Sequence, residues 1–212
     1  MKGIYFDNIH SFEDLKLILT STDIPPAEPK TNFIDIPGGD GSLDLTEALG
    51  DTKFEDRKCT FTFTVFPGEN PEEKKREVSN LLNGRRCKII LDKDPGYYWS
   101  GRCAVDKYKT RNVRIHEITI KATVSPYKLK TNVTKITVPA GEKIVKNIWN
   151  DRKTVVPVIT NTAKATIMFN GGTYTVEPGN NKVLNIQLRE GANKLIVTSS
   201  QPVIFTYQEG AL

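Results

Sequence analysis

The chain has 212 residues, 38% of them hydrophobic and 26% charged, with a formal net charge of +5. That balance is ordinary for a globular protein of one large or two small domains, and it excludes wholesale disorder. The cationic excess is dispersed, with Lys74-Lys75-Arg76 its longest block. It is therefore not read as a nucleic-acid footprint, and it fits equally well a surface that meets an acidic protein partner.

The first residues carry charges inside every apolar run, so they do not make a signal-peptide core, and no run approaches a membrane span. The expectation is a soluble protein made in the cytosol, with no membrane insertion. Gly3 to Thr20 alternate weakly. Ile4 and Phe6 face one way, Leu15, Leu17 and Leu19 suggest another strand, and His10 falls in a loop. Pro25-Pro26-Ala27-Glu28-Pro29 then breaks regular structure, because three prolines fix φ and remove donors; an extended connector is expected.

The stretch from Asn32 to Arg57 organises the reading. Its middle, Pro37-Gly38-Gly39-Asp40-Gly41-Ser42, offers nothing to bury but a proline ring, and its glycines permit positive φ. Phe33, Ile34 and Ile36 precede it, and Leu43 and Leu45 follow. The pattern predicts a strand, a tight polar turn and a second strand or arm ending at Gly50-Asp51. Gly41 is followed by Ser42-Leu43-Asp44, so the phosphate-cradling glycine motifs are absent, and the Asp40/Asp44 spacing fails the calcium-loop pattern.

Cys59 to Phe66 reads as a strand with Phe61, Phe63 and Val65 on one face and Thr60, Thr62 and Thr64 on the other. Pro67-Gly68 ends it. Asn70 then caps a helix over about 71–83, with Pro71 at the first position, Glu72 and Glu73 at the positive dipole end and Gly84 as the stop. Val78, Leu81 and Leu82 make its apolar stripe. Strands follow at Arg86–Leu91 and Tyr97–Tyr108, divided by Asp94-Pro95-Gly96, and then at Val113–Val124. In the last, apolar residues switch from odd positions, Val113 and Ile115, to even ones, Ile118 to Val124; a β-bulge is predicted near His116-Glu117.

Ser125-Pro126-Tyr127 is the expected boundary between a domain over 1–128 and a second over 129–212. In the second, short apolar runs are separated by turn signals, with strands expected at Thr134–Val138, Lys143–Trp149, Thr154–Asn161, Ala165–Thr175, Lys182–Leu188, Asn193–Thr198 and Val203–Tyr207. Such spacing means a sandwich or jelly roll. The fold class expected is thus mainly β: a β-barrel or sandwich with one packed helix and an extended arm over about 25–57, then a β-sandwich.

One resemblance is carried by particular residues. Ile36 to Thr46 with its glycine turn, then Phe54-Glu55-Asp56-Arg57 leading into a strand, then Trp99-Ser100-Gly101-Arg102, then Ala122 to Lys128, resembles the distal tail proteins of long-tailed bacteriophages. That family often has arginine where this chain has Gly39. The resemblance covers most of residues 1–130, and the order and length of the second part are similar to the galectin-like sandwich of the family's short members. It implies a hexameric ring in which first domains continue the tail tube and second domains project outward. It also implies partners: the tail-tube protein, the tape-measure protein and a tail-tip protein, a tail-associated lysin or a fibre protein. The location implied is the tail tip of the virion, after assembly in the host bacterial cytoplasm. For the ring contact the residues singled out are Pro37, Gly38, Gly39, Asp40, Gly41, Leu43 and Arg57. The arm would add backbone hydrogen bonds to a neighbour's sheet at Gly101–Tyr108 or Val113–Val124.

Catalytic signatures do not emerge. There are two histidines, His10 and His116, no nucleophile elbow and no clustered metal-ligand set, so no enzyme, cofactor or metal is expected. Cys59, Cys87 and Cys103 lack zinc spacing and are expected as buried thiols. A second hypothesis is a monomeric carbohydrate-binding adhesin, with Trp149, Tyr174 and Tyr207 as an aromatic platform and Asn150, Asp151 and Arg152 bonding hydroxyls. Against it stands the expectation that Trp149 packs in the core or at a domain interface. Tyr97-Tyr98-Trp99 is a further candidate subunit contact. A third hypothesis is a tail-tube subunit, which shares the barrel-plus-helix pattern and usually lacks this second domain.

Overall fold

The computed structural model describes residues 3–48, 50–112 and 115–212. The chain divides into two compact units, Met1–Lys128 and Leu129–Leu212. Among the described residues no helix is long and apolar enough to cross a membrane.

The first unit contains β1 (Ile4–Phe6), β2 (Ile9–His10), β3 (Leu17–Asp23), β4 (Phe33–Asp35), β5 (Ser42–Asp44), β6 (Arg57–Val65), α1 (Pro71–Leu82), β7 (Arg86–Leu91), β8 (Tyr97–Asn112) and β9 (Ile115–Val124). Seven of these strands form one antiparallel sheet in the order β2-β1-β7-β8-β9-β6-β3. The alternation in β6 does what its sequence requires: Cys59, Phe61, Phe63 and Val65 are buried and the threonines between them are half-buried. Phe6 on β1 lies four strand steps from β6, yet its ring centroid is 6.4 Å from that of Phe61 and 6.3 Å from that of Phe63. The twisted sheet therefore curls until its apolar faces meet.

Helix α1 starts where capping chemistry puts it. The Asn70 side chain accepts hydrogen bonds from the Glu72 and Glu73 amides, and Pro71 fills the first turn. Val78 and Leu82 are buried in the sheet's core. Tyr108 on β8 donates to the Lys75 carbonyl and so ties the helix to the sheet.

Two expectations are corrected here. His10 is in β2 and buried, not in a loop. A slip does fall opposite His116, but the strand that carries it differs from the expectation: β9 runs against β6 without a slip from Glu117 to Val124, and β8 pairs Thr110 with His116 and Asn112 with Ile115. The register shifts lie in the facing strand, between Val105 and Lys107 and between Thr110 and Asn112 of β8. Ile118, Ile120, Ala122 and Val124 occupy the core face, whereas Ile115 is exposed at the strand's start. The odd-numbered apolar residue was a surface position, so it did not record a change of face. Val113 lies outside the described residues.

All three cysteines are free and buried. Burial pushes the Cys59 thiol up to about 11, and burial with the adjacent Cys87 sulfur pushes Cys103 up to about 12.

The second unit holds β10 (Lys128–Lys130), which begins in the linker, β11 (Thr134–Val138), β12 (Gly141–Asn150), β13 (Val158–Asn161), β14 (Ala165–Phe169), β15 (Gly172–Val176), β16 (Gly179–Asn181), β17 (Gly191–Ser199), β18 (Val203–Tyr207) and β19 (Gly210–Ala211). Two four-stranded sheets, β11-β18-β13-β16 and β12-β17-β14-β15, enclose one core. Val138, Ile159, Val203 and Phe205 come from one sheet, and Ile148, Ile167, Phe169, Leu195 and Val197 from the other. The β14–β15 hairpin turns on Asn170 (φ 47°) and Gly171 (φ 79°), two successive positive values that asparagine and glycine accommodate best. The strand expected over Lys182–Leu188 is absent. Leu184 and Asn185 form a turn there, with Ile186 and Leu188 inserted into the core and Leu184 at 73% exposure. A run this apolar satisfied the sandwich from a loop, because burial needs apolar surface rather than a ladder.

Truncating Phe63 to alanine, at 0% exposure, is expected to cost about 3–5 kcal/mol in urea unfolding. A thiol reagent attacks thiolate, so raised thiol pKa values together with burial mean protection at pH 8. Ellman's reagent is expected to label none of the three cysteines in the native chain, and all of them in guanidinium.

Candidate oligomer interface

Among the described residues, the glycine-turned stretch is a ribbon whose strands pair only with each other. β4 and β5 form their own two-stranded sheet, with Phe33 opposite Asp44, Ile34 opposite Leu43 and Asp35 opposite Ser42. Gly38 and Gly41 both have φ of 76°, and the Gly39 amide donates to the Ile36 carbonyl to close the turn. Further down, the Leu45 amide bonds the Asn32 carbonyl, Lys30 bonds Lys53, and Glu55 bonds Glu28. Pro29 and Phe54 form a bridge there. At the base, the Phe54 ring packs edge-on against Tyr127 with centroids 5.9 Å apart.

Among the described residues, nothing within its unit covers the tip. Phe33, Ile34, Ile36 and Leu43 are 50–56% exposed, although side chains of this size normally stabilise a fold by leaving water. Directly opposed residues share a face. Ile34 and Leu43 therefore make one apolar face, while Phe33, Asp35, Ser42 and Asp44 share the other. The Thr46 hydroxyl and amide hold the Asp44 carboxyl below its usual range.

The ribbon is also acidic. Between Asn32 and Asp56 the chain has seven carboxylates and one cation, Lys53. That segment carries −6 in a chain of net +5, so the remainder carries +11.

Of the residues singled out for contact, Pro37, Gly38, Gly39, Asp40, Gly41 and Leu43 all lie on the exposed tip. Arg57 does not. It opens β6 on the core face beside Cys59 and is 7% exposed. Its Nη1 donates to the Pro25 carbonyl at 3.4 Å, and its Nε and Nη2 are buried without a partner. It is a residue of the ribbon's base. The proposed acceptor edges also need correction. Residues 101–103 of β8 and 117–124 of β9 are interior to the sheet, with ladder partners or backbone contacts on both sides, whereas the ladder partners of residues 104–108 of β8 are on the β9 side. The free edges along the sheet's path are β2 and β3, and β3 leads directly into the ribbon. Tyr98 and Trp99 are buried in their own unit, with Lys88 over Tyr98 at 5.1 Å.

The carbohydrate candidates are not brought together. Trp149 is 64% exposed and so packs in no core, against expectation. It points outward from β12, one edge of its sheet, whereas Tyr174 is on β15, the opposite edge, and packs against the core side. Three strand spacings, about 14 Å, and the sheet itself separate them. Tyr207 is buried, its hydroxyl donates to the Trp149 carbonyl, and burial pushes it up to about 12. Asn150 is wholly buried and donates to the Lys153 and Leu188 carbonyls. Asp151 pairs with Lys130 at 3.3 Å, and Arg152 pairs with Glu190.

His10 is engaged inside the first unit. Its Nδ1 accepts from the Glu13 amide, so Nε2 carries the proton and donates to Asp92 Oδ2 at 3.1 Å. The same carboxylate oxygen accepts from the Gly3 amide at 2.6 Å, and Ser11 Oγ accepts from the Ile4 amide at 3.1 Å. The group clamps the N-terminal strand. Among the described residues no three metal-ligating side chains are gathered.

No protein-family model matches the chain, and no curated protein matches it. Among solved structures it is similar to the crystal structure of SPP1 Dit (gp 19.1), described as a paradigm of the hub adsorption apparatus in phages infecting Gram-positive bacteria. The match has a TM-score of 0.72 at 14% identity and covers 100% of both chains. The chain has the fold of SPP1 Dit. Both units take part in that likeness, since nothing of either chain is left out of it. The mainly β architecture with one helix agrees with the fold class read from the sequence.

Replacing Ile34 and Leu43 together by aspartate removes no core packing, but it loses the cross-strand pair that the two make and sets two like charges opposite each other. The unfolding free energy from a urea titration is expected to fall by no more than about 1 kcal/mol, measured on the monomer at low protein concentration.

Proposed function

We propose that this chain is a structural hub protein of a phage or prophage tail tip, closing with copies of itself into a ring that joins the tail tube to the adsorption apparatus. The observation that carries the reading is the likeness in fold to SPP1 Dit over the whole of both chains. The uncovered ribbon supports it independently: four large apolar side chains held half-exposed on a hydrogen-bonded scaffold mark a contact surface.

In this reading the ring is a hexamer, built head to tail, so that the ribbon of one subunit meets a different patch on the next. Pro37, Gly38, Gly39, Asp40, Gly41 and Leu43 form the contacting tip, and Arg57 steadies the base. The second unit is a galectin-like sandwich facing outward. The ring's neighbours are the tail-tube protein, the tape-measure protein and a tail-tip, lysin or fibre protein, and it assembles in the host cytoplasm before residing at the virion's tail tip. The role is structural rather than enzymatic. A sugar-binding adhesin is the weaker reading, because the single exposed Trp149 has no aromatic partner on its face among the residues proposed for that site.

Mass photometry and negative-stain microscopy of the purified chain test this. Closed rings of one size are expected for the parent, and loss of rings for the Ile34→Asp/Leu43→Asp variant at concentrations where the parent assembles. A parent that remains monomeric at high concentration would contradict the reading.

A further inference from the structure

The outer face of the first unit's sheet carries a feature that its own chain does not use. Arg86 on β7 stands directly opposite Arg102 on β8, Arg102 opposite Thr123 on β9, and Thr123 opposite Lys58 on β6. One row across four strands thus presents two arginines, a threonine and a lysine, all exposed. Adjacent strands are about 4.8 Å apart, so the row spans about 14 Å. Like charges directly opposed in a ladder repel, and among the described residues none of these three cations makes an ion pair. Arg86 Nε bonds Ser100 Oγ at 3.3 Å, and Arg102 Nη1 bonds the Gly84 carbonyl. These neutral acceptors leave both charges uncompensated. A groove on this face is lined by Arg86, Ser100, Arg102, Thr123 and Ser125, with Asp56 as its one carboxylate.

We propose that this cationic row is the seat for the acidic face of the ribbon of a second copy of the chain. The inference rests on the ring reading above and names the patch that the ribbon meets. Charge complementarity selects the occupant: the ribbon segment carries −6 against +11 for the rest of the chain. Asp35 and Asp44 share the ribbon face that also holds Phe33. They are diagonal neighbours about 7–8 Å apart, a separation that the long arginine and lysine stems can match. The ribbon does not use its own row, since its tip is exposed on both faces. Seat and ribbon are different patches, as a head-to-tail ring requires. Exposed charges of this kind steer encounter and set register more than they add raw affinity, and salt screens them.

The test is a charge swap read by mass photometry across a concentration series at low salt. Arg86→Glu/Arg102→Glu is expected to raise the concentration needed for ring assembly by about tenfold or more. Adding Asp35→Lys/Asp44→Lys to the same chain is expected to restore assembly toward the parent value. The parent's own assembly is expected to weaken as NaCl rises from about 50 to 500 mM. Urea midpoints equal to the parent's establish that each variant is folded. Parent-like assembly of the Arg86→Glu/Arg102→Glu chain, or no recovery in the folded swap, overturns the proposal and leaves the row to a different acidic partner. A parent that never forms rings overturns the ring reading itself and this inference with it.

Discussion

The ribbon's backbone hydrogen bonds are made within itself, and the large apolar side chains of its tip are buried against nothing in their own unit. That division governs the molecule. A two-stranded hairpin without a sheet or a core to lean on is marginal in water. Here it is extended by backbone pairs down to Glu28 and Glu55 and anchored where Phe54 meets Tyr127. The result is a shape that persists without burial and that keeps Phe33, Ile34, Ile36 and Leu43 available to something else.

Charge is partitioned along the same line. A chain of net +5 places seven carboxylates and one cation between Asn32 and Asp56, and it places Arg86, Arg102 and Lys58 in one register row of the neighbouring sheet. Both groups would gain from a neighbour, and the cost of holding them apart is a fraction of a kcal/mol per exposed like-charge pair.

The second unit illustrates the distance between fold and site. Its two sheets close over a conventional apolar core, but the aromatics that composition offered for a sugar platform are dispersed among opposite edges, opposite faces and the interior. A sandwich architecture by itself carries no binding function. The histidine cluster makes the same point in the first unit: His10, Ser11 and Asp92 meet through backbone amides of the first strands, with His10 and Ser11 buried and the group's bonds to Gly3 and Ile4 holding the N-terminal strand.

From the sequence alone one could read what depends on near neighbours. The period of two in Cys59–Val65, the Asn70-Pro71 start of the helix and the glycine turn between Ile36 and Leu43 are local preferences, and the structure keeps each of them. The mainly β class followed from their sum. Tertiary structure alone decided what depends on which strand lies beside which. The register slips belong to β8 instead of β9, because a bulge is a relation between two strands and its apolar trace need not fall on the one that carries it. Lys182–Leu188 is a loop because its neighbours offered a core to fill and, in place of a ladder, one isolated bridge between Leu188 and Val155. Arg57 is interior, β9 and β8 as far as Cys103 are paired on both sides, and Arg86, Arg102 and Lys58 converge from three separate strands. Alignment of residues far apart in the chain is set by sheet order and register, and no window of sequence contains it.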